Sequence, residues 1–190
     1  HWRSYAEGND EIRYAPDKDF ESYLTTGVDL LGTWYDGISD DEFQVLAVEE
    51  AFRFELPNLK APVIGAIDLI LQDPSGSIVI VDHKALGRSY SIEEVDSNLQ
   101  LTVYHMAAKA NGYADHEILL RFDCLIKTKD PKFIECYTTR DHNDERRLVR
   151  MAQSVQEAID KEAFVPNPFG FRHKNCAFKA ACEQWFSKGG

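Results

Sequence analysis

The segment VIGAIDLILQDPSGSIVIVDHKAL, Val63 to Leu86, restricts the fold of this chain more than any other stretch. β-Branched residues dominate both halves and Pro, Ser and Gly punctuate the middle, so it reads as two strands around a turn. Pro74 and Ser75 suit the centre of a type I turn, and Gly76 suits the left-handed residue that follows. That predicts a three-residue loop with Asp73 facing Ser77. Counting outward, Asp68 falls opposite Asp82, with Cβ atoms about 5 Å apart. Side chains alternate, so Asp68, Asp82 and Lys84 share one face, whereas a two-residue loop would separate the two aspartates. Ile64, Ile70, Ile78 and Ile80 fall on one side, and Ile67, Leu69, Leu71, Val79 and Val81 on the other. Strands apolar on both sides belong in the middle of a covered sheet.

Two carboxylates in such a place are costly unless they are protonated, paired or shared with a cation. A divalent ion removes the conflict, since hard cations take one or two carboxylates together with substrate phosphate. Such an ion activates water and stabilises charge on a phosphoryl oxygen, with Lys84 placing the nucleophile or neutralising the oxyanion. A structural ion pair between Lys84 and one aspartate is the competing reading, and spacing alone leaves both open.

The rest of the chain supplies a frame for this hairpin. Helical spacing runs from about Lys18 to Asp36, and Phe43–Leu56 reads as a strand ended by Pro57. Ser91 and Glu94 form a capping box for a helix predicted to continue to Gly112. EILLRFDCLIK and KFIECYTT read as a second hairpin around Asp130 and Pro131, followed by a helix from about Asn143 to Ala163. The order is helix, three strands, helix, two strands, helix. This is an α/β chain with a mixed sheet covered by helices. Its 190 residues suit a single domain, with 164–190 as a C-terminal tail. No apolar run is long enough to span a bilayer and no signal-peptide pattern is read in these residues. His1 in place of an initiating Met reads as a fragment or a trimmed chain. Four Cys are too few for a disulfide scaffold, which suggests a reducing, cytoplasmic compartment, phage or bacterial host included. The net charge of −11 excludes a general nucleic-acid coat, although not an enzyme with a local basic groove.

GAIDLI followed by VIVDHKAL resembles motifs II and III of the PD-(D/E)XK nuclease superfamily, and NLQLTVYHMAA resembles the Q-x-x-x-Y helix of its RecB-like exonuclease branch. That branch includes the nuclease domains of RecB and AddB and the CRISPR-associated RecB-like exonucleases. The match runs from Glu49 to Ala108. It implies a restriction-endonuclease-like sheet and a Mg²⁺- or Mn²⁺-dependent DNA nuclease, exonuclease rather than endonuclease, that cleaves phosphodiesters with a metal-activated water. It implies metal ligands at Asp68, Asp82 and the His83 carbonyl, Lys84 as the catalytic lysine, and Gln100 and Tyr104 holding the site and the DNA. His1 is a candidate for the family's N-terminal histidine ligand and equally a chain end; Glu49 or Glu50 is a fallback ligand. The iron–sulfur Cys motif of many RecB-like nucleases is represented by His173, Cys176 and Cys182. With His for its first Cys and no upstream partner, it is expected to be a degenerate remnant without a cluster. Cys124 and Cys136 are expected to be buried thiols.

Candidate phosphate contacts are Arg88, Arg172, Lys174 and Lys179, with Arg146, Arg147 and Arg150 as a basic stretch of the last long helix. DNA binding is expected to weaken steeply with salt. Helicase or recombination proteins are compatible partners, in DNA repair, recombination or CRISPR adaptation. A catalytically silent DNA- or protein-binding module on the same fold is the alternative.

Overall fold

The computed structural model describes residues 2–38, 42–167, 170 and 173–187, with the side chains of Trp2 and Lys174 outside that description. Five strands form one mixed sheet: β1 (Gln44–Phe54), β2 (Val63–Gln72), β3 (Ile78–Leu86), β4 (Ile118–Ile126) and β5 (Lys132–Thr138), adjacent in chain order. Only β3 and β4 run parallel. Their crossover carries α3 (Ile92–Asp96) and α4 (Leu99–Ala108). Following α1 (Trp2–Ala6), α2 (Phe20–Gly37) packs on β4 and β5, while α4 packs on β1, β3 and β4 with α5 (His142–Asp160) outside it. The tail ends in α6 (Lys179–Ser187). Among the described residues no helix is long and apolar enough to cross a membrane.

The turn forms as its residues demand. Gly76 takes φ +90°, Asp73 N–H donates to Ser77 O at 3.0 Å, and the Asp73 side chain accepts from the Ser75 and Ser77 amides. The pairing of β2 with β3 then runs from Gln72 opposite Ile78 to Leu69 opposite Val81, which aims Asp68 at Asp82.

The alternation read from sequence breaks at Asp68. Ile67 and Ile70, three residues apart, are both fully buried in the core beneath α4, whereas Ile64, expected beside Ile70, is 70% exposed. The cause is a local interruption of the ladder. Glu49 and Asp68, opposite each other, are left unpaired with the register unchanged on either side, and Glu49 adopts φ +51°, a left-handed conformation uncommon outside glycine; the register itself shifts between Val45 and Ala47. The strand changes phase by one residue there, so odd positions before Asp68 and even positions after it face α4. Gly65 belongs to the same adjustment: a Cβ there would stand 2.5 Å from Phe52 Cζ, whose ring lies flat on that backbone.

The crossover helix, expected as one piece from Ser91 to Gly112, is two. The Ser91–Glu94 box starts α3, but Asn98 accepts from the Gln100 and Leu101 amides and starts a second helix. Short polar side chains offer the backbone such an alternative to continued helix. A π-helical turn, Lys109–Tyr113, follows α4. Arg140, 8% exposed, closes the break: Nη2 donates to Val95 O at 2.8 Å and Asn98 O at 3.1 Å, and Nε donates to Thr102 Oγ1 at 2.9 Å. Removing it takes one donor each from the Val95 and Asn98 carbonyls and from Thr102 Oγ1 in a largely buried setting, a loss of about 1 kcal/mol per hydrogen bond. Arg140→Ala is therefore expected to lower the unfolding free energy by about 3 kcal/mol in urea titration.

On the outer side of α4, Glu145 Oε1 of α5 accepts from Lys109 Nζ at 2.9 Å and lies 3.1 Å from His105 Nδ1. Burial, only partly offset by Glu145, holds His105 below its ordinary value of 6.5. A lowered folded-state value means that neutral His105 contributes its full stability above pH 6.5 and loses it as pH falls below. Between about pH 7.5 and about pH 5, the wild type is expected to lose more melting temperature than His105→Gln.

Candidate active site

Asp82 and Lys84 project from β3 toward the first turns of α4. Gln100 and Tyr104 stand there one helical turn apart, hence on one face. The Gln100 side chain is oriented by three partners. Its Nε2 donates to Asp82 Oδ1 at 2.8 Å and to Tyr104 Oη at 3.0 Å, and its Oε1 accepts from Lys84 Nζ at 2.9 Å. Lys84 Nζ also lies 2.5 Å from Asp82 Oδ2, and Tyr104 Oη donates to Asp82 Oδ1 at 3.2 Å. The Lys84 ammonium sits over the Phe122 ring, 5.3 Å from its centroid.

Asp82 is 2% exposed. Burial pushes its carboxyl above the usual range; Lys84 pulls it back and the charge of Asp68 pushes it up again. Burial likewise lifts the Tyr104 phenol to about 12, so Tyr104 remains a neutral donor at physiological pH. Asp68, half-buried where the ladder is interrupted, spends one oxygen on the chain itself: its Oδ2 accepts the His83 N–H at 3.0 Å. A side chain thus takes the place of a ladder carbonyl where the β2–β3 pairing ends.

His83 points the other way, toward α2. Its ring meets Trp34 edge-on, centroids 6.2 Å apart, and its Nδ1 is 3.6 Å from Asp123 Oδ2. Asp123 and Arg121, 1% and 0% exposed, are joined by a 2.8 Å ion pair, and Arg121 also reaches Glu135 Oε1 and Tyr137 Oη, each at 3.0 Å. This buried ionic layer fixes the back of the strand segment whose front carries Asp82 and Lys84. Sequence reading missed it, although RFDC in β4 carries the same signal as DHK in β3: charges two apart within an apolar strand.

Whether the site suits a divalent cation is decided by its donors. Two carboxylates meet where the sheet is covered, both offer hard oxygen atoms, and the charge of one already strains the ionisation of the other. Among the described residues no third His, Cys, Asp or Glu joins them in a metal-binding group. That set fits an ion such as Mg²⁺, which keeps waters and takes one or two carboxylates.

The other candidates lie apart from this cluster. Arg88 is engaged bidentately by Glu94, at 2.8 and 2.5 Å, which drops the Glu94 carboxyl to about 2. Lys179 lies 3.8 Å from Glu183, and Arg147 3.4 Å from Asp144. Arg146 donates to Asn143, and Arg150 shares with Arg146 and Arg147 a surface hollow on α5. Glu50 accepts from Asn111 Nδ2 at 2.7 Å. His173 lies in a 3₁₀ turn before α6, and Cys176 and Cys182 are free thiols in the tail. Cys124 is buried, its thiol lifted to about 12 by burial and by Cys136. His1, Arg172 and the Lys174 side chain fall outside the described residues.

A family model described as the PD-(D/E)XK nuclease superfamily matches residues 6–183. No curated protein matches the sequence. Among solved structures, the chain is similar to one from Eubacterium rectale named "Putative exonuclease". Identity is 11%, with a TM-score of 0.56, over 90% of this chain and 64% of that one. It is also similar to SSO0001, with 18% identity and a TM-score of 0.48 over 90% of this chain and 72% of that one. The chain thus spans less than two thirds of the Eubacterium rectale protein.

Tyr104→Phe deletes two hydrogen bonds, the one donated to the buried Asp82 carboxylate and the one accepted from Gln100, while keeping the ring against Phe52. Its expected cost is about 2 kcal/mol of unfolding free energy, measured by urea titration, with an unchanged circular dichroism spectrum.

Proposed function

This chain belongs to the PD-(D/E)XK nuclease superfamily, and from that premise we propose that it is a divalent-metal-dependent deoxyribonuclease that degrades DNA from its ends. The observation that carries the reading is the closed contact set of Asp82, Lys84, Gln100 and Tyr104, with Asp68 on the adjoining strand. Asp68, Asp82 and the His83 carbonyl would hold the cation. When bound, it supplies Lewis-acid stabilisation of phosphoryl charge and makes a water acidic enough to attack at neutral pH.

The chain's own residues do the remainder. Lys84 carries the one mobile positive charge on this face of β3, on a stem long enough to move from Asp82 Oδ2 to a phosphoryl oxygen or an attacking water. Gln100, accepting from Lys84 and donating to Asp82, keeps both in register during that exchange. Tyr104 holds Asp82 Oδ1, which leaves Oδ2 as the oxygen freed when Lys84 swings away. The Asp68–His83 amide bond and the Asp123–His83 contact together hold the main chain of residue 83, so its carbonyl keeps a constant direction. Support for exonucleolytic action comes from the Gln100/Tyr104 spacing of the RecB-like branch and from the name of the Eubacterium rectale protein.

Digestion of end-labelled linear DNA and closed circular DNA with Mn²⁺ tests the reading. The wild type is expected to shorten linear DNA from its termini and leave the circle intact, and Lys84→Ala to cleave about 100- to 1000-fold more slowly. Nicked or linearised circles would make it an endonuclease; full activity in Lys84→Ala would remove the assignment of the site.

A further inference from the structure

Lys84 has one contact that the chemistry above does not use. Its ammonium donates to Gln100 Oε1, pairs with Asp82 Oδ2, and stands over the Phe122 ring, 5.3 Å from the centroid. Phe122 lies opposite Asp82 in the parallel β3–β4 ladder and is 0% exposed, while the Lys84 side chain is 23% exposed. Any large apolar side chain would fill the place of Phe122 in the core. Only an aromatic one offers an ammonium a face of negative potential, and that attraction strengthens as water is excluded.

The ring is itself held. Tyr90 stacks on it, with centroids 5.1 Å apart and planes inclined by 27°. Tyr90 stands in the loop between β3 and α3, and that loop is braced on both sides of it by Glu94. Before it, Arg88 Nη1 donates to Ser89 O at 2.9 Å and to Glu94 Oε2 at 2.8 Å; after it, the Ser91 amide donates to the same Oε2 at 2.8 Å. Arg88 and Glu94, which touch no member of the Asp82 cluster, thus fix the loop that lays Tyr90 on Phe122.

The ring matters most when Asp82 Oδ2 is given over to a cation. Lys84 then loses its carboxylate and meets a like charge at close range. Its flexible stem would carry the ammonium out to water unless other contacts hold it. Gln100 Oε1 and the Phe122 face are the contacts that remain. We propose that Phe122, backed by Tyr90, is a positioning residue for Lys84, its face keeping the ammonium at the site while Asp82 serves the cation, an inference that rests on the nuclease reading above.

Fluorinated phenylalanines at position 122 test this, because each added fluorine drains negative charge from the ring face and hardly alters its size. Across the mono-, di- and trifluoro forms, kcat on linear DNA with Mn²⁺ is expected to fall stepwise, by about 5-fold or more in total. KM is expected to stay constant, since Phe122 is buried, and so is the urea midpoint, which separates the effect from core packing. Proton NMR of the Lys84 ε-methylene, assigned by its absence in Lys84→Arg, reads the contact without turnover. The ring current is expected to hold that signal upfield both before and after addition of Mg²⁺, and Tyr90→Leu to reduce the shift in both states. A flat kcat across the fluorinated forms of an enzyme that cleaves DNA overturns the positioning role and leaves the nuclease reading standing. So does a signal that returns to the ordinary lysine position on adding Mg²⁺, because the ammonium has then left the ring. An unchanged shift in Tyr90→Leu removes Tyr90 from the assignment. A wild type that cleaves no DNA overturns both readings.

Discussion

A carboxylate and an ammonium two residues apart on one covered strand set the terms for the structure around them. Asp82 is almost wholly buried, and a single lysine cannot satisfy both of its oxygen atoms. Its second oxygen needs neutral donors from another element, and α4 supplies them through Gln100 and Tyr104. The start of α4 must therefore stand over β3. That placement follows from the parallel β3–β4 crossover, from the Asn98 cap that restarts the helix there, and from the Arg140 guanidinium that takes up the carbonyls freed by the break. A continuous helix from Ser91 would need no such cap and no such guanidinium.

The interruption of the β1–β2 ladder at Glu49 and Asp68 is the second condition. A regular strand would have buried one of these carboxylates in the ladder or turned it away from Asp82. The one-residue phase change instead keeps Ile67 and Ile70 in the same core and leaves the Asp68 carboxylate where the β2–β3 pairing ends, bonded to the His83 amide. Two like charges approach across that end, and burial with the charge of Asp68 resists ionisation of Asp82. The apolar core holds this tension in place, since Asp82 is almost wholly buried among its isoleucines and Phe122. Such an arrangement is what a hard cation relieves.

Much of this was legible in the amino-acid sequence because it depends on local rules. The DPSGS turn fixes the register of its hairpin, and a capping box marks the start of the crossover helices. The Asp, Lys, Gln and Tyr spacings of the family motifs name four side chains that the fold brings into contact. What escaped depends on pairs distant in sequence. The interruption of the ladder involves Glu49 together with Asp68, and no periodicity in either strand alone announces it. The helix break needs Asn98 to be favoured over helix continuation, which Arg140, 42 residues on, makes possible. Basic residues were the least legible of all: Arg88 looked available and is bound by Glu94.

The two faces of β3 thus divide the work proposed for this nuclease fold. Asp82 and Lys84 face α4 and the chemistry; His83, between them, faces α2 and the buried Asp123–Arg121 pair. The central claim is that the paired aspartates are a cation site and not a buried ion pair with Lys84. Anomalous scattering from a crystal grown with Mn²⁺ tests it most directly. The account expects a peak about 2 Å from a carboxylate oxygen of both Asp68 and Asp82, with the Lys84 ammonium displaced from Asp82 Oδ2. No peak there, with Lys84 still seated on Asp82, would contradict it.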